Sequence, residues 1–194
     1  MNICVYGASS DDIAPVYMEQ VYTLGQKLAA HGHELVFGGG AHGLMGAVAR
    51  GVDSVGGRII GIIPRFLDKG DILYRHCTEV IYTDTLRQRK QKMEELADAF
   101  LMVPGGIGTY EEFFEVLTLK QLGQHNKPIA VLNLENYFDP LQALMEHTEE
   151  AGFMRADFFT SVDIYVVCAT AAEVLDYFEY YDRGAISLKG LKNL

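Results

Sequence analysis

Residues 100–122 read FLMVPGGIGTYEEFFEVLTLKQL. A short apolar run, Phe100–Val103, leads into Pro104-Gly105-Gly106-Ile107-Gly108-Thr109 and then a helical stretch, Thr109–Leu122. Strand, glycine turn and helix in that order form the repeating unit of parallel α/β sheets. The same alternation extends in both directions. Apolar runs recur at Ile3–Tyr6, Glu34–Phe37, Arg58–Ile63, Glu79–Tyr82, Pro128–Leu134 and Asp163–Cys168. They are mostly continuous, as strands covered on both faces require. Helical stretches fall between them at about Pro15–Ala30, Leu44–Val55, Thr85–Ala97, Pro140–Ala151 and Ala171–Tyr181. The pattern predicts an α/β fold: a doubly wound, mostly parallel sheet of about seven strands with helices on both faces. One domain is expected over residues 1–182, followed by a C-terminal tail, 183–194. Arg65–Cys77 lacks periodicity and reads as a loop near the sheet edge.

The chain has 194 residues, 26 acidic and 16 Lys/Arg side chains, a formal charge of −10 and 49% hydrophobic residues. That composition is globular, and a chain of this length buries roughly 70% of its unfolded surface. An extended nucleic-acid surface is not expected, because phosphate neutralisation needs clustered cations. An anionic membrane surface is disfavoured for the same reason, and no apolar run is long enough to span a bilayer. Cys4, Cys77 and Cys168 are far apart and the N-terminus lacks signal-peptide features, which predicts reduced thiols and a cytoplasmic location. The six histidines are scattered without ligand spacing, so no metal site is expected.

Two further glycine turns follow predicted strands: Gly7-Ala8-Ser9-Ser10, and Gly38-Gly39-Gly40 running on to Gly43-Leu44-Met45-Gly46. Open α/β sheets bind ligands at the carboxyl ends of their strands, so three such turns define one crevice. The turn at 104–109 has two readings. As an anion site, its glycines admit a phosphate to the N–H groups that open the next helix. As a purely structural feature, Thr109 caps the helix and Glu112, three residues on, completes a capping box. It matches neither GxGxxG nor a P-loop.

At 100° per residue, Glu111, Glu115 and Thr118 share a polar stripe. Glu112 falls outside it, on the side of Val116 and Leu119, where a carboxylate is costly unless paired. Arg89 offers a cation. It lies between Leu86 and Met93 on a helix whose apolar face is marked by Leu86, Met93, Ala97 and Phe100, and Lys90 is beside it. Arg89 is either a snorkelling surface residue or a guanidinium aimed at phosphate or carboxylate.

Three motifs together, Arg89-Lys90 in LRQRKQKM, PGGIGTYEE at 104–112 and GLMGAVA at 43–49, resemble the LOG ("Lonely Guy") family. Its members are cytokinin riboside 5′-monophosphate phosphoribohydrolases, many once labelled possible lysine decarboxylases. The resemblance runs from Ile3 to about Phe153. It implies a Rossmann-like fold, a homodimer, and hydrolysis of the N-glycosidic bond of an adenine nucleotide, with a nucleoside monophosphate as partner molecule. It implies Arg89 and Glu112 as the catalytic pair. The loop Gly105, Gly106, Ile107, Gly108 and Thr109 would take the 5′-phosphate, and Tyr110 is a further candidate for substrate binding. Lys90, Glu111 and Thr118 match nucleotide-contacting positions; Gly39, Gly43 and Met45 of the second turn, and Asp71, are further candidates for substrate binding. This chemistry requires no metal or other cofactor, and no lysine has the context of a Schiff-base former. The other reading is a binder that holds a nucleotide or phosphorylated cofactor in the same crevice without turnover.

Overall fold

The computed structural model describes residues 1–154 and 164–181. Each apolar run becomes a strand: β1 Asn2–Tyr6, β2 Glu34–Phe37, β3 Ile59–Pro64, β4 Glu79–Thr83, β5 Ala99–Met102, β6 Ile129–Leu132 and β7 Val166–Cys168. Between them lie α1 Pro15–Ala30, α2 Gly43–Asp53, α3 Leu86–Leu96, α4 Ile107–Gln121, α5 Asp139–Glu150 and α6 Ala171–Tyr180. The strands form one sheet in the order β4-β3-β2-β1-β5-β6-β7, and every pairing is parallel. The fold is therefore the expected α/β, Rossmann-like one.

Two apolar layers flank the sheet. α1, α2 and α6 cover one face through Leu24, Leu28, Val48, Val52, Val174 and Phe178. α3, α4 and α5 cover the other through Met93, Phe113, Val116, Leu117, Leu141 and Met145. The order of the strands reverses at β1, which pairs with β2 on one side and with β5 on the other. Register places Tyr6 opposite Met102 and Val5 opposite Phe37, so β1, β2 and β5 end level. Such a switch point opens a crevice outside the carboxyl ends of the strands.

Three local expectations change. α4 begins at Ile107 with Gly106 as its N-cap, so Thr109 lies inside the helix, 3% exposed, and caps nothing. The capping box belongs instead to α3, where Thr85 Oγ1 accepts from the Gln88 N–H. α3 stops at Leu96, because Ala97 turns to extended backbone and the Asp98 N–H donates to the Asn2 carbonyl. Phe100 therefore belongs to β5, and Leu86, at the exposed start of α3, is 47% exposed rather than part of a buried face.

The segment 65–77 is a loop with one 3-10 turn, Arg65–Leu67, but it is anchored to the core. Leu73 and Tyr74 are buried, and Leu73 bridges antiparallel to Gly40. The proposed tail, 183–194, and the start of the seventh predicted strand at Asp163 lie outside the described residues. Among the described residues no helix is long and apolar enough to cross a membrane, and Cys4, Cys77 and Cys168 are free thiols.

Candidate active site

The first two turns of α4 carry the carboxylate, and α3 carries the cation. Arg89 Nη2 donates to Glu112 Oε1 at 3.3 Å, with the side chains 19% and 13% exposed. Glu112 does sit off the polar stripe of its helix, which is why burial dominates its titration. Its carboxyl is pushed up to about 7, burial outweighing the opposing pull of Arg89. A carboxylate in that range exchanges protons near neutral pH, as an acid or base in a site must.

Arg89 is held by the second glycine turn. A Cβ on Gly38 would stand 1.8 Å from Arg89 Nη2, so any larger residue there displaces the guanidinium from this position. Its Nε is buried and finds no hydrogen-bond partner among the described residues. A buried donor left unpaired costs about 1–3 kcal/mol and marks a place for a ligand oxygen.

Lys90 lies beside this pair, bonded to Glu111 and, at 2.9 Å, to Glu115. Burial pulls its pKa down, but the two carboxylates outweigh burial and hold the ammonium above its usual value. The predicted stripe of Glu111 and Glu115 is thus what ties α4 to α3. Thr118 is exposed on the same stripe, two turns beyond Glu111, about 10 Å along the axis.

Two helices open into the crevice, and they differ. At α2 the Gly43 N–H donates to Asp11 Oδ1 at 2.8 Å, and the Leu44 and Met45 N–H groups donate to the Ala8 carbonyl at 2.9 and 3.2 Å. That terminus is filled by the protein itself. Gly43 and Met45 are buried, as is Gly39 beneath Leu73. Among the described residues no side chain caps α4; Ile107 is 87% exposed, and Cβ atoms placed on Gly106 or Gly108 would meet nothing within 4 Å. This is the open terminus, and a positive helix end without a cap attracts an anion.

The turn before it is rigid. The Ala8 N–H donates to the Pro104 carbonyl at 3.0 Å, and Tyr137 Oη donates to the Gly105 carbonyl at 2.8 Å. A Cβ on Gly105 would lie 2.1 Å from Thr109 Oγ1, so the buried threonine packs straight onto the glycine. Tyr110 is half-buried, edge-on to Phe138 at 6.3 Å between ring centres.

Asp71 stands apart from the central pair. It is highly exposed and reaches His42 Nε2 at 3.5 Å. Reasoning from sequence missed Gly38, Tyr137, Asp11 and His42. The triple glycine signalled the first; the others meet their partners across 31 or 32 residues and leave no local trace. Among the described residues no group of three or more His, Cys, Asp or Glu side chains could hold a metal ion.

Fold and site together define a class: a Rossmann-like α/β protein with a buried carboxylate–guanidinium pair beside an open helix terminus at the switch point. Comparison with known proteins narrows it. Residues 45–178 match the family model described as "Possible lysine decarboxylase". The chain is 40% identical over 182 residues to the probable cytokinin riboside 5′-monophosphate phosphoribohydrolase LOGL1 of Oryza sativa subsp. japonica, covering 94% of this chain and 80% of the relative. It is 37% identical over 180 residues to the cytokinin riboside 5′-monophosphate phosphoribohydrolase LOG2 of Arabidopsis thaliana, covering 93% and 83%. The chain belongs to the LOG family of phosphoribohydrolases.

Among solved structures, the molybdenum cofactor binding protein from Rippkaea orientalis superposes with a TM-score of 0.69 at 20% identity, covering 92% of this chain and 94% of that one. The molybdenum cofactor carrier protein from Chlamydomonas reinhardtii does so with 0.68 at 22%, covering 92% and 95%. These likenesses concern the fold alone.

Proposed function

We propose that the protein hydrolyses the N-glycosidic bond of adenosine 5′-monophosphates, plain or N6-modified, releasing the free base and ribose 5-phosphate. The observation that carries this is the juxtaposition of Glu112 and Arg89 with the uncapped start of α4. The 5′-phosphate binds the N–H groups from Gly106 to Thr109, and the binding energy of that remote group positions the sugar. C1′ then lies beside Glu112. Cleavage builds positive charge on the ribose, which the ionised carboxylate stabilises while it takes a proton from the attacking water. Arg89 keeps Glu112 in place and offers its unpartnered Nε–H to an oxygen of the sugar phosphate. Lys90, Glu111 and Thr118 border the entrance, and Asp71 its far rim.

The relatives named as cytokinin riboside 5′-monophosphate phosphoribohydrolases support this reaction class for the chain. We assign the protein to the cytoplasm and expect a homodimer, for which the exposed Leu86 and Leu122 on the α3–α4 side offer apolar surface.

The test is base release by the purified protein from AMP and isopentenyladenosine monophosphate. Stoichiometric base and ribose 5-phosphate are expected. Tight nucleotide binding with the ligand intact after long incubation would instead establish a binder. The ratio of kcat/KM for plain and N6-substituted substrates assigns the specificity.

A further inference from the structure

Tyr137 reaches the turn before α4 from a strained stretch of backbone. Glu135 and Asn136, in the 3-10 turn Leu134–Asn136, take φ of 50° and 58°. Among the described residues no other non-glycine residue has positive φ. Such backbone persists only where its surroundings impose it, and it clusters where a side chain must be aimed. Here the bracing is visible. Asn133 Oδ1 accepts the Phe138 N–H at 2.6 Å, and Asn133 Nδ2 donates to Asp139 Oδ1 at 2.8 Å. Gln20 Nε2 donates to Glu135 Oε1 at 2.8 Å, and Leu134 and Phe138 are buried on either side. The Tyr137 ring thereby stands edge-on to Tyr17, 6.1 Å between ring centres, with its hydroxyl on the Gly105 carbonyl. Burial, then the Tyr110 hydroxyl beside it, raises the Tyr137 pKa, so the phenol keeps its proton at neutral pH.

The Gly105 carbonyl shares one peptide unit with the Gly106 N–H. That unit is planar and trans, so its C=O and N–H point in opposite directions. A donor on the carbonyl therefore fixes the N–H pointing away from Tyr137. Glycine on both sides leaves the unit few steric limits of its own, so the restraint has to come from outside. The Ala8 N–H on the Pro104 carbonyl sets the Gly105 N–H in the same way. Neither glycine N–H donates to an acceptor among the described residues. A hydrogen bond at the carbonyl end also polarises the peptide and strengthens its N–H as a donor. Resting on the phosphate site of the proposed function, we infer that Tyr137 is a positioning residue for the substrate's 5′-phosphate, presetting the Gly105–Gly106 peptide whose N–H receives it. Tyr137 touches no reacting atom and acts through the turn.

The test is Tyr137→Phe, which keeps the ring and removes the hydroxyl. Titration calorimetry with ribose 5-phosphate should show Kd raised about tenfold, as expected for one hydrogen bond to a charged group. On AMP, kcat/KM should fall about as much, through KM rather than kcat, because the phosphate is held equally in ground and transition states. Asn136→Val disfavours positive φ; with the circular dichroism spectrum kept, it should reproduce the loss and add less than about twofold on top of Tyr137→Phe. Ribose 5-phosphate binding unchanged within about twofold in Tyr137→Phe overturns the assignment, as does a fall in kcat alone or losses that multiply in the double variant. Binding that weakens as expected in a protein that never releases base from AMP overturns the hydrolase reading and leaves this inference intact.

Discussion

Replacing Glu112 with glutamine should make the protein more stable and abolish its chemistry. Burial moves the carboxyl from 4.5 to about 7. At about 1.36 kcal/mol per pH unit, holding the ionised form in the folded protein costs about 3 kcal/mol. The sign follows from the direction. A carboxyl whose folded-state pKa is raised favours folding below pH 4.5 and loses that contribution as pH rises towards 7. Above pH 7 the full cost is present. Glu112→Gln removes the charge and keeps an acceptor for Arg89 Nη2, so denaturant melts at pH 8 should show a gain of up to about 3 kcal/mol, equivalent to about 6–12 °C in Tm. At pH 4 the two proteins should be nearly equal. Turnover of AMP should fall about 10²- to 10⁴-fold. Such a trade is expected where a site holds a charge against its own stability. A variant less stable at pH 8 than at pH 4, relative to the unaltered protein, would show an ordinary structural ion pair and refute the reasoning.

Other outcomes follow from the same contacts. In the unaltered protein kcat/KM should rise tenfold per pH unit up to about pH 7, as Glu112 ionises; a profile flat from pH 5 to 8 contradicts that. Gly38→Ala places a methyl 1.8 Å from Arg89 Nη2 and should cut kcat/KM at least tenfold while the circular dichroism spectrum is kept. Gly105→Ala collides with Thr109 Oγ1 and the Ala8 N–H, so both Tm and activity should drop. Thr85→Ala removes the cap of α3 and should cost about 1 kcal/mol in urea melts.

Much of the architecture was legible because the apolar runs are short, continuous and separated by helical stretches; a parallel sheet follows from that spacing alone. Helix ends were harder. Thr109 and Glu112 have capping-box spacing, yet the chain starts its helix two residues earlier, because Thr109 is more useful packed on Gly105 than exposed at a cap. Phe100 keeps the helical period of Leu86, Met93 and Ala97, yet strand pairing to β1 and β6 claims that residue. Within the site, the off-stripe position of Glu112 and the place of Arg89 on its helix were visible in periodicity. That the two meet, that Gly38 makes room for the guanidinium, and that His42 finds Asp11 depend on contacts between segments distant in the chain. Local pattern carries no information about those. The difference between the filled terminus of α2 and the open one of α4 is likewise invisible, since both helices follow a glycine-rich turn.

The most direct measurement is a crystal structure of the Glu112→Gln variant soaked with AMP. The account predicts an intact nucleotide with its phosphate on the N–H groups of residues 106–109, C1′ within about 4 Å of the position 112 side chain, and the base lying along residues 38–42. A phosphate bound anywhere else, or a sugar turned away from residue 112, would contradict it.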